Sequence, residues 1–183
     1  MKITISGNLG SGKSTVAKML AKELGYAHYS TGDFMRKMAE DRNMTLLKLS
    51  KIAENDPSID KELDDFQKKL GEEKDNFVLD ARLGFHFVPN SKKIFLEAEE
   101  NEGAKRVQKS FKDKQAGREN EGIKDDFKKI FRALKERRES ERKRYTQFYG
   151  VDYEDPKQYD LVINTTAMPP EQVVKKIIEE LIP

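Results

Sequence analysis

Gly7-Asn8-Leu9-Gly10-Ser11-Gly12-Lys13-Ser14 carries the pattern G-x-x-x-x-G-K-[ST] in full. Ile3-Thr4-Ile5-Ser6, before it, reads as a short buried strand. After it, Val16, Ala17, Leu20, Ala21 and Leu24 fall on one helical face, and Gly25 ends the run. A strand, a glycine turn and a helix N-terminus together make a phosphate cradle. The glycines let backbone N–H groups turn towards an anion, and the first N–H groups of a helix have no partner within it. Gly7, Asn8, Gly10, Ser11, Gly12, Lys13, Ser14 and Thr15 are therefore the expected nucleotide-binding residues. Lys13 is placed to reach the β- and γ-phosphates, and the Ser14 hydroxyl to ligate Mg²⁺. The chain is expected to bind a nucleoside triphosphate, which leaves open what receives the phosphate.

The 183 residues suit one domain with a substantial core. Charged residues (37%) slightly outnumber apolar ones (36%), so the core is expected to be compact, with charge on long surface helices. A net charge of +2 does not point to nucleic acid or an anionic membrane as partner. The absence of cysteine excludes disulfides, zinc–thiolate sites and a cysteine nucleophile. No apolar run approaches membrane-spanning length, and the first residues read as a core strand rather than a signal peptide, so a cytoplasmic protein is expected.

Five apolar runs read as strands: Ile3–Ser6, Ala27–Tyr29, Phe77–Leu79, Lys93–Leu96 and Leu161–Ile163. Helical segments separate most of them, which predicts an α/β fold with a parallel sheet covered by helices. Pro170 opens a last helix whose buried stripe is Val173, Val174, Ile177, Ile178 and Leu181. Two stretches look too polar for core. Residues 43–75 read as a helix-rich insertion with a weak stripe of Leu46, Leu49, Ile52 and Ala53, broken at Asp56-Pro57-Ser58. Residues 109–122 read as a surface segment, either a plain loop or a lid over the phosphates.

Three further constellations bear on chemistry. Asp80 closes the run Phe77-Val78-Leu79-Asp80, at the strand end where ligands of open α/β sheets bind; it is either a helix cap or a carboxylate serving Mg²⁺ through water. Arg82 lies on the same rim and could hold a phosphate bidentately. In Ser30-Thr31-Gly32-Asp33-Phe34-Met35-Arg36, Gly32 permits a tight turn and Arg36 falls in a first helical turn near that rim, or is a plain surface arginine. Phe127, Ile130, Leu134, Arg137, Glu141, Arg144 and Phe148 follow alternating steps of three and four, one continuous helix face. Its first members are apolar, so the face points inward and carries Arg137, Glu141 and Arg144 with it. They would meet a ligand there, or they are part of a solvated run of ion pairs. His28 and His86 belong to no nucleophilic triad, and phosphoryl transfer requires none.

Together these residues resemble the nucleoside monophosphate kinases, and among them the archaeal type of cytidylate kinase, along nearly the whole chain. Residues 30–36 are similar to the segment with which that family grips the acceptor phosphate. Asp80-Ala81-Arg82 resembles its Asp-Gly-Arg, with Ala81 in place of the glycine. Residues 137–145 followed by Tyr149-Gly150-Val151-Asp152 resemble the archaeal signature, and residues 159–166 its closing strand and adenine-side loop. Gly103 stands where related kinases often carry an arginine, and Asp65-Phe66 in a region that is usually more basic.

The resemblance implies a P-loop fold of five parallel strands flanked by helices, in one kinase domain spanning residues 1–183. Its acceptor-binding insertion would be near residues 43–75 and its lid near 109–122. It implies ATP and Mg²⁺, with phosphate passing to CMP and dCMP. Lys13, Arg106 and Arg118 would neutralise charge on the moving phosphoryl group. Ser14 and Asp80 would hold the metal. Ser30, Gly32, Arg36, Arg82, Arg137 and Arg144 would grip the acceptor, and Glu141 would contact the pyrimidine or its ribose. The expected partners are small nucleotides, with no nucleic acid and no membrane, and the expected state is a monomer. A kinase for AMP, UMP or another small metabolite, or a nucleotide-dependent remodelling protein, are the alternatives.

Overall fold

The computed structural model describes residues 1–112 and 126–181. Five strands form one parallel sheet: β1 (Lys2–Gly7), β2 (Ala27–Ser30), β3 (Phe77–Asp80), β4 (Lys92–Glu97) and β5 (Leu161–Asn164), in the order β2-β3-β1-β4-β5. Each predicted strand is present, and each is one to two residues longer than the apolar run that announced it. The extra residues are polar or charged ends, which the ladder extends beyond the apolar core. The α-helices are α1 (Lys13–Leu24), α2 (Thr31–Asp41), α3 (Leu46–Ala53), α4 (Pro57–Glu73), α5 (Gly84–Phe87), α6 (Glu100–Lys112), α7 (Phe127–Tyr149) and α8 (Pro170–Leu181). Among the described residues no helix is long and apolar enough to cross a membrane.

The strands are parallel because each link between neighbours runs through helix, and the central ones are apolar on both faces. Ile3, Ile5, Val78, Ile94 and Leu96 are fully buried and pack with Val16, Ala17 and Leu20 of α1 and Val173, Val174 and Ile177 of α8. Each Val, Leu or Ile among them contributes about 1.5–3 kcal/mol when taken out of water. Gly25, in the left-handed region at φ 66°, stops α1, and its N–H bonds the carbonyl of Lys22.

The insertion departs from its polar appearance. Leu46, Leu49 and Ala53 of α3 are buried with Met35, Met38 and Ala39 of α2 and Ile59 and Leu63 of α4, a small core of its own. Ile52, assigned to the same stripe, is instead exposed. No single helix here carries enough apolar residues to announce a core; three short stripes meet to make one. Asp56 is less a break than a beginning: it caps α4 by accepting from Ser58 N at 3.0 Å, with Pro57 in the first turn.

Register sets the site. Ile5 pairs with Asp80, Ser30 with Asp80, and Gly7 with Leu96, so the strand ends that precede the phosphate loop, α2, α5 and α6 all finish on one rim.

Candidate active site

The phosphate loop leaves β1 and enters α1 through Gly10 (φ 80°) and Gly12 (φ 84°), both left-handed conformations that glycine adopts without strain. Gly12 is the N-cap of α1 and supplies no side-chain cap. The first N–H groups of the helix are thus left for an anion.

Lys13 and the buried Asp80 form an ion pair, and Ser14 hydrogen-bonds the same carboxylate. Burial lowers the Lys13 pKa against the opposing pull of Asp80. For Asp80, burial pushes upward, but Lys13, Ser14 and Arg82 outweigh it and hold the carboxyl below the ordinary range. Asp80 caps no helix, because the next one begins only at Gly84. A small hydroxyl beside a buried, ionised carboxylate fits Mg²⁺, which takes one or two protein oxygens and draws the rest from phosphate and water. Among the described residues no cluster of three or more His, Cys, Asp or Glu that could hold a metal is present.

Beyond Lys13 the rim opens into a pocket lined by five cations, Lys13, Arg36, Arg82, Arg137 and Arg144, and two acids, Asp60 and Glu141. The inward face of α7 is as the spacing predicts: Ile130, Leu134, Glu141 and Arg144 are its buried residues. Glu141 is a hub. One oxygen meets Arg82 and the other accepts from Arg137 Nε at 3.0 Å. Burial raises its pKa, but Arg82, Arg137 and Arg144 together bring it below the ordinary value, so the carboxylate is ionised. Arg144 reaches Asp60 of α4, with Nη1 3.2 and 3.3 Å from the two carboxylate oxygens.

Asp60 was not foreseen. It is buried and lines the pocket with Ser50 of α3. A signal existed: Asp60 shares the inward stripe of α4 with Leu63, Gln67 and Leu70, the same criterion that singled out Glu141.

Two expectations change. Gly32 makes no tight turn, because α2 already begins at Thr31; Ser30 caps that helix, accepting from Asp33 N at 3.2 Å. Arg36 consequently lies in the second turn, where Nη2 meets Asp33 at 2.5 Å while lining the pocket. Arg106 does not face the cationic pocket. It donates to Glu102, to Thr165 Oγ1 and O, and to Thr166 O, along a second groove between α6, the phosphate loop and the β5–α8 turn. The Asn8 side chain is committed too: Nδ2 donates to Ala98 O at 2.7 Å and Oδ1 accepts from Ala98 N at 3.0 Å. Arg118, and most of the segment 109–122, lie outside the described residues.

Gly103 has a steric reason. A Cβ there would lie 2.6 Å from Leu9 O, and Gly10 packs directly on Gly103, so α6 abuts the phosphate loop backbone to backbone.

A phosphate loop at the centre of a five-stranded parallel sheet, facing an arginine-lined pocket, has the fold and site of a P-loop kinase. Residues 2–167 match the cytidylate kinase-like family, and the chain belongs to it. It is 39% identical over 184 residues to a cytidylate kinase from Natronomonas pharaonis, covering 100% of this chain and 89% of that one. It is 40% identical over 185 residues to one from Thermococcus kodakarensis, covering 99% and 89%. In fold it is similar to a shikimate kinase from Bacteroides thetaiotaomicron, with a TM-score of 0.63 and 16% identity over 98% of this chain and 97% of that one.

Proposed function

We propose that this protein transfers the γ-phosphoryl group of ATP to CMP and dCMP, releasing ADP and the pyrimidine diphosphate. The observation that carries the reading is the pocket itself: five cations and two buried acids from α1, α2, α4, α7 and the segment after β3, beside the phosphate loop. The surplus of positive charge suits a phosphate dianion. The acids suit a nucleoside that brings hydrogen-bond donors.

Positioning and charge neutralisation supply the catalysis. The N–H groups at the start of α1 and Lys13 hold the donor phosphates; on binding, Lys13 is drawn from Asp80 towards the β/γ-oxygens. Ser14 and Asp80 would hold Mg²⁺, which when bound neutralises phosphate oxygens. Arg36, Arg82, Arg137 and Arg144 orient the acceptor phosphate for in-line attack. Glu141 keeps Arg82 and Arg137 in place, and its remaining lone pairs can accept from a ribose hydroxyl. Asp60, whose two oxygens share one Arg144 nitrogen, keeps acceptor capacity for an exocyclic amino group. UMP lacks that donor and would leave a buried acceptor under-satisfied. Arg106 serves the donor side, lining the groove that would take the adenosine of ATP. All the acceptor-side arginines come from one chain, so the reading requires only a monomer and free cytoplasmic nucleotides.

The test is ADP release from Mg·ATP with CMP, dCMP, UMP and AMP in turn. CMP or dCMP should give the highest kcat/KM. A higher value for UMP or AMP would refute the cytidylate reading, and ATP consumption indifferent to all four would refute the kinase reading.

A further inference from the structure

Thr165 immediately follows β5, is 1% exposed, and lies far in sequence from everything it holds. Its N–H donates to Glu97 O at 2.7 Å. Its hydroxyl oxygen lies 2.9 Å from Ser11 O and 3.0 Å from Glu97 O, and accepts from Arg106 Nη1 at 3.3 Å. A threonine hydroxyl has one hydrogen. Glu97 O is already served by the Thr165 N–H at the shorter distance, and Arg106 can only donate. The hydrogen is assigned to Ser11 O, the nearer of the two carbonyls and the one the Thr165 N–H does not already serve.

That assignment matters because of where Ser11 sits. Its neighbours Gly10 and Gly12 are both left-handed, at φ 80° and 84°, and have no Cβ to resist rotation of the peptides between them. In a planar trans peptide the carbonyl of Ser11 and the N–H of Gly12 point in opposite directions. Holding the carbonyl on Thr165 turns the Gly12 N–H away from Thr165, at a residue that lines both the cationic pocket and the donor-side groove. Released, the Ser11–Gly12 peptide can rotate and present a carbonyl oxygen where phosphate must bind.

We infer that Thr165 is a positioning residue that locks the Ser11–Gly12 peptide in its phosphate-binding orientation, and that it joins this lock to the donor-side groove through Arg106. Arg106 donates to Thr165 O at 2.7 Å and to Thr166 O at 3.0 Å, fixing the turn from which the hydroxyl reaches the loop. The inference rests on the proposed reading of the phosphate loop as the ATP site, and concerns how that loop is kept competent.

Calorimetric titrations of the full chain with ATP and with tripolyphosphate test it, comparing the parent with Thr165→Val and Thr165→Ser. Tripolyphosphate carries no base, so it reports the loop alone. Thr165→Val should weaken ATP and tripolyphosphate by the same factor, about tenfold or more, as expected for a buried carbonyl left without its donor. Thr165→Ser should stay within about threefold of the parent, because the hydroxyl is what counts. At saturating ATP, the KM for CMP should change less than about twofold. Loss of ATP affinity with tripolyphosphate unaffected would reduce Thr165 to a groove wall and overturn the inference; so would serine behaving like valine. If the valine variant does not fold, Thr165→Ala takes its place, and collapse of both would assign the hydroxyl to stability and overturn it as well. A parent that binds tripolyphosphate but does not turn over CMP would refute the acceptor reading while leaving this inference intact. A parent that binds neither ATP nor tripolyphosphate would overturn both.

Discussion

Replacing Glu141 by glutamine keeps the shape of the side chain and removes its charge from between Arg82 and Arg137, with Arg144 close by. The carboxylate is 5% exposed, so water cannot take over. Breaking a buried ion pair from one side costs about 3–5 kcal/mol. The amide oxygen keeps one bond to an arginine while the amide NH₂ faces the other, so a loss of about 2–4 kcal/mol is expected. For a chain of 183 residues each kcal/mol moves the melting point by about 2–4 °C, which puts Glu141→Gln about 4–16 °C below the parent. The pH dependence has a definite sign. Glu141 has a depressed pKa in the fold, so its contribution is full above the unfolded carboxyl pKa and disappears as pH falls through the folded value. The parent and Glu141→Gln should converge in strong acid and separate towards neutrality. Melts by calorimetry from pH 3 to pH 8 provide the comparison. In turnover assays the KM for CMP should rise at least tenfold, with ATP affinity within about twofold. A melting point within 1 °C of the parent at pH 7, or a gap independent of pH, would refute the hub assignment.

Lys13→Ala should lower kcat by about two or more orders of magnitude, read by ADP release, because the ammonium acts where charge moves. Asp64→Asn should stabilise the fold above pH 6: burial, with Asp60 and Asp65 adding to it against Tyr149 and Lys68, pushes Asp64 up to about 6. Its ionised form therefore costs stability that is absent below about pH 4 and fully present above about pH 6. Denaturant melts should show the variant level with the parent at pH 4 and better by up to about 1 kcal/mol at pH 7.5, the modest size reflecting partial exposure; equal stability at pH 7.5 would refute the account. Gly103→Ala should cost about 1–3 kcal/mol in the same melts and weaken ATP binding, because the new methyl pushes α6 off Leu9 O; a variant that binds and melts like the parent would show that α6 yields freely.

The phosphate loop, the five strands and the inward face of α7 were legible because each depends on spacing within a few residues of chain. Partners across the fold were not. Asp60 and Arg144 are 84 residues apart, and Thr165 and Ser11 are 154 apart; no local period brings such pairs together. Arg106 was expected from resemblance alone; that its guanidinium bonds the β5–α8 turn depends on where α6 docks, which Gly103 decides by contact with Gly10. The start of α2 was hidden in Ser30, whose capping hydroxyl turns an apparent turn sequence into a first helical turn.

The separate core beneath α2, α3 and α4 has an evolutionary corollary. Its eight buried side chains belong to a cluster distinct from that of β1, α1 and α8, so substitutions that alter the pocket wall at Ser50 or Asp60 strain mainly their own module. The phosphate loop can thus be inherited unchanged while the far wall of the pocket varies. Native-state hydrogen exchange would expose the seam as amides of α2–α4 opening at lower free energy than those of β1 and α1.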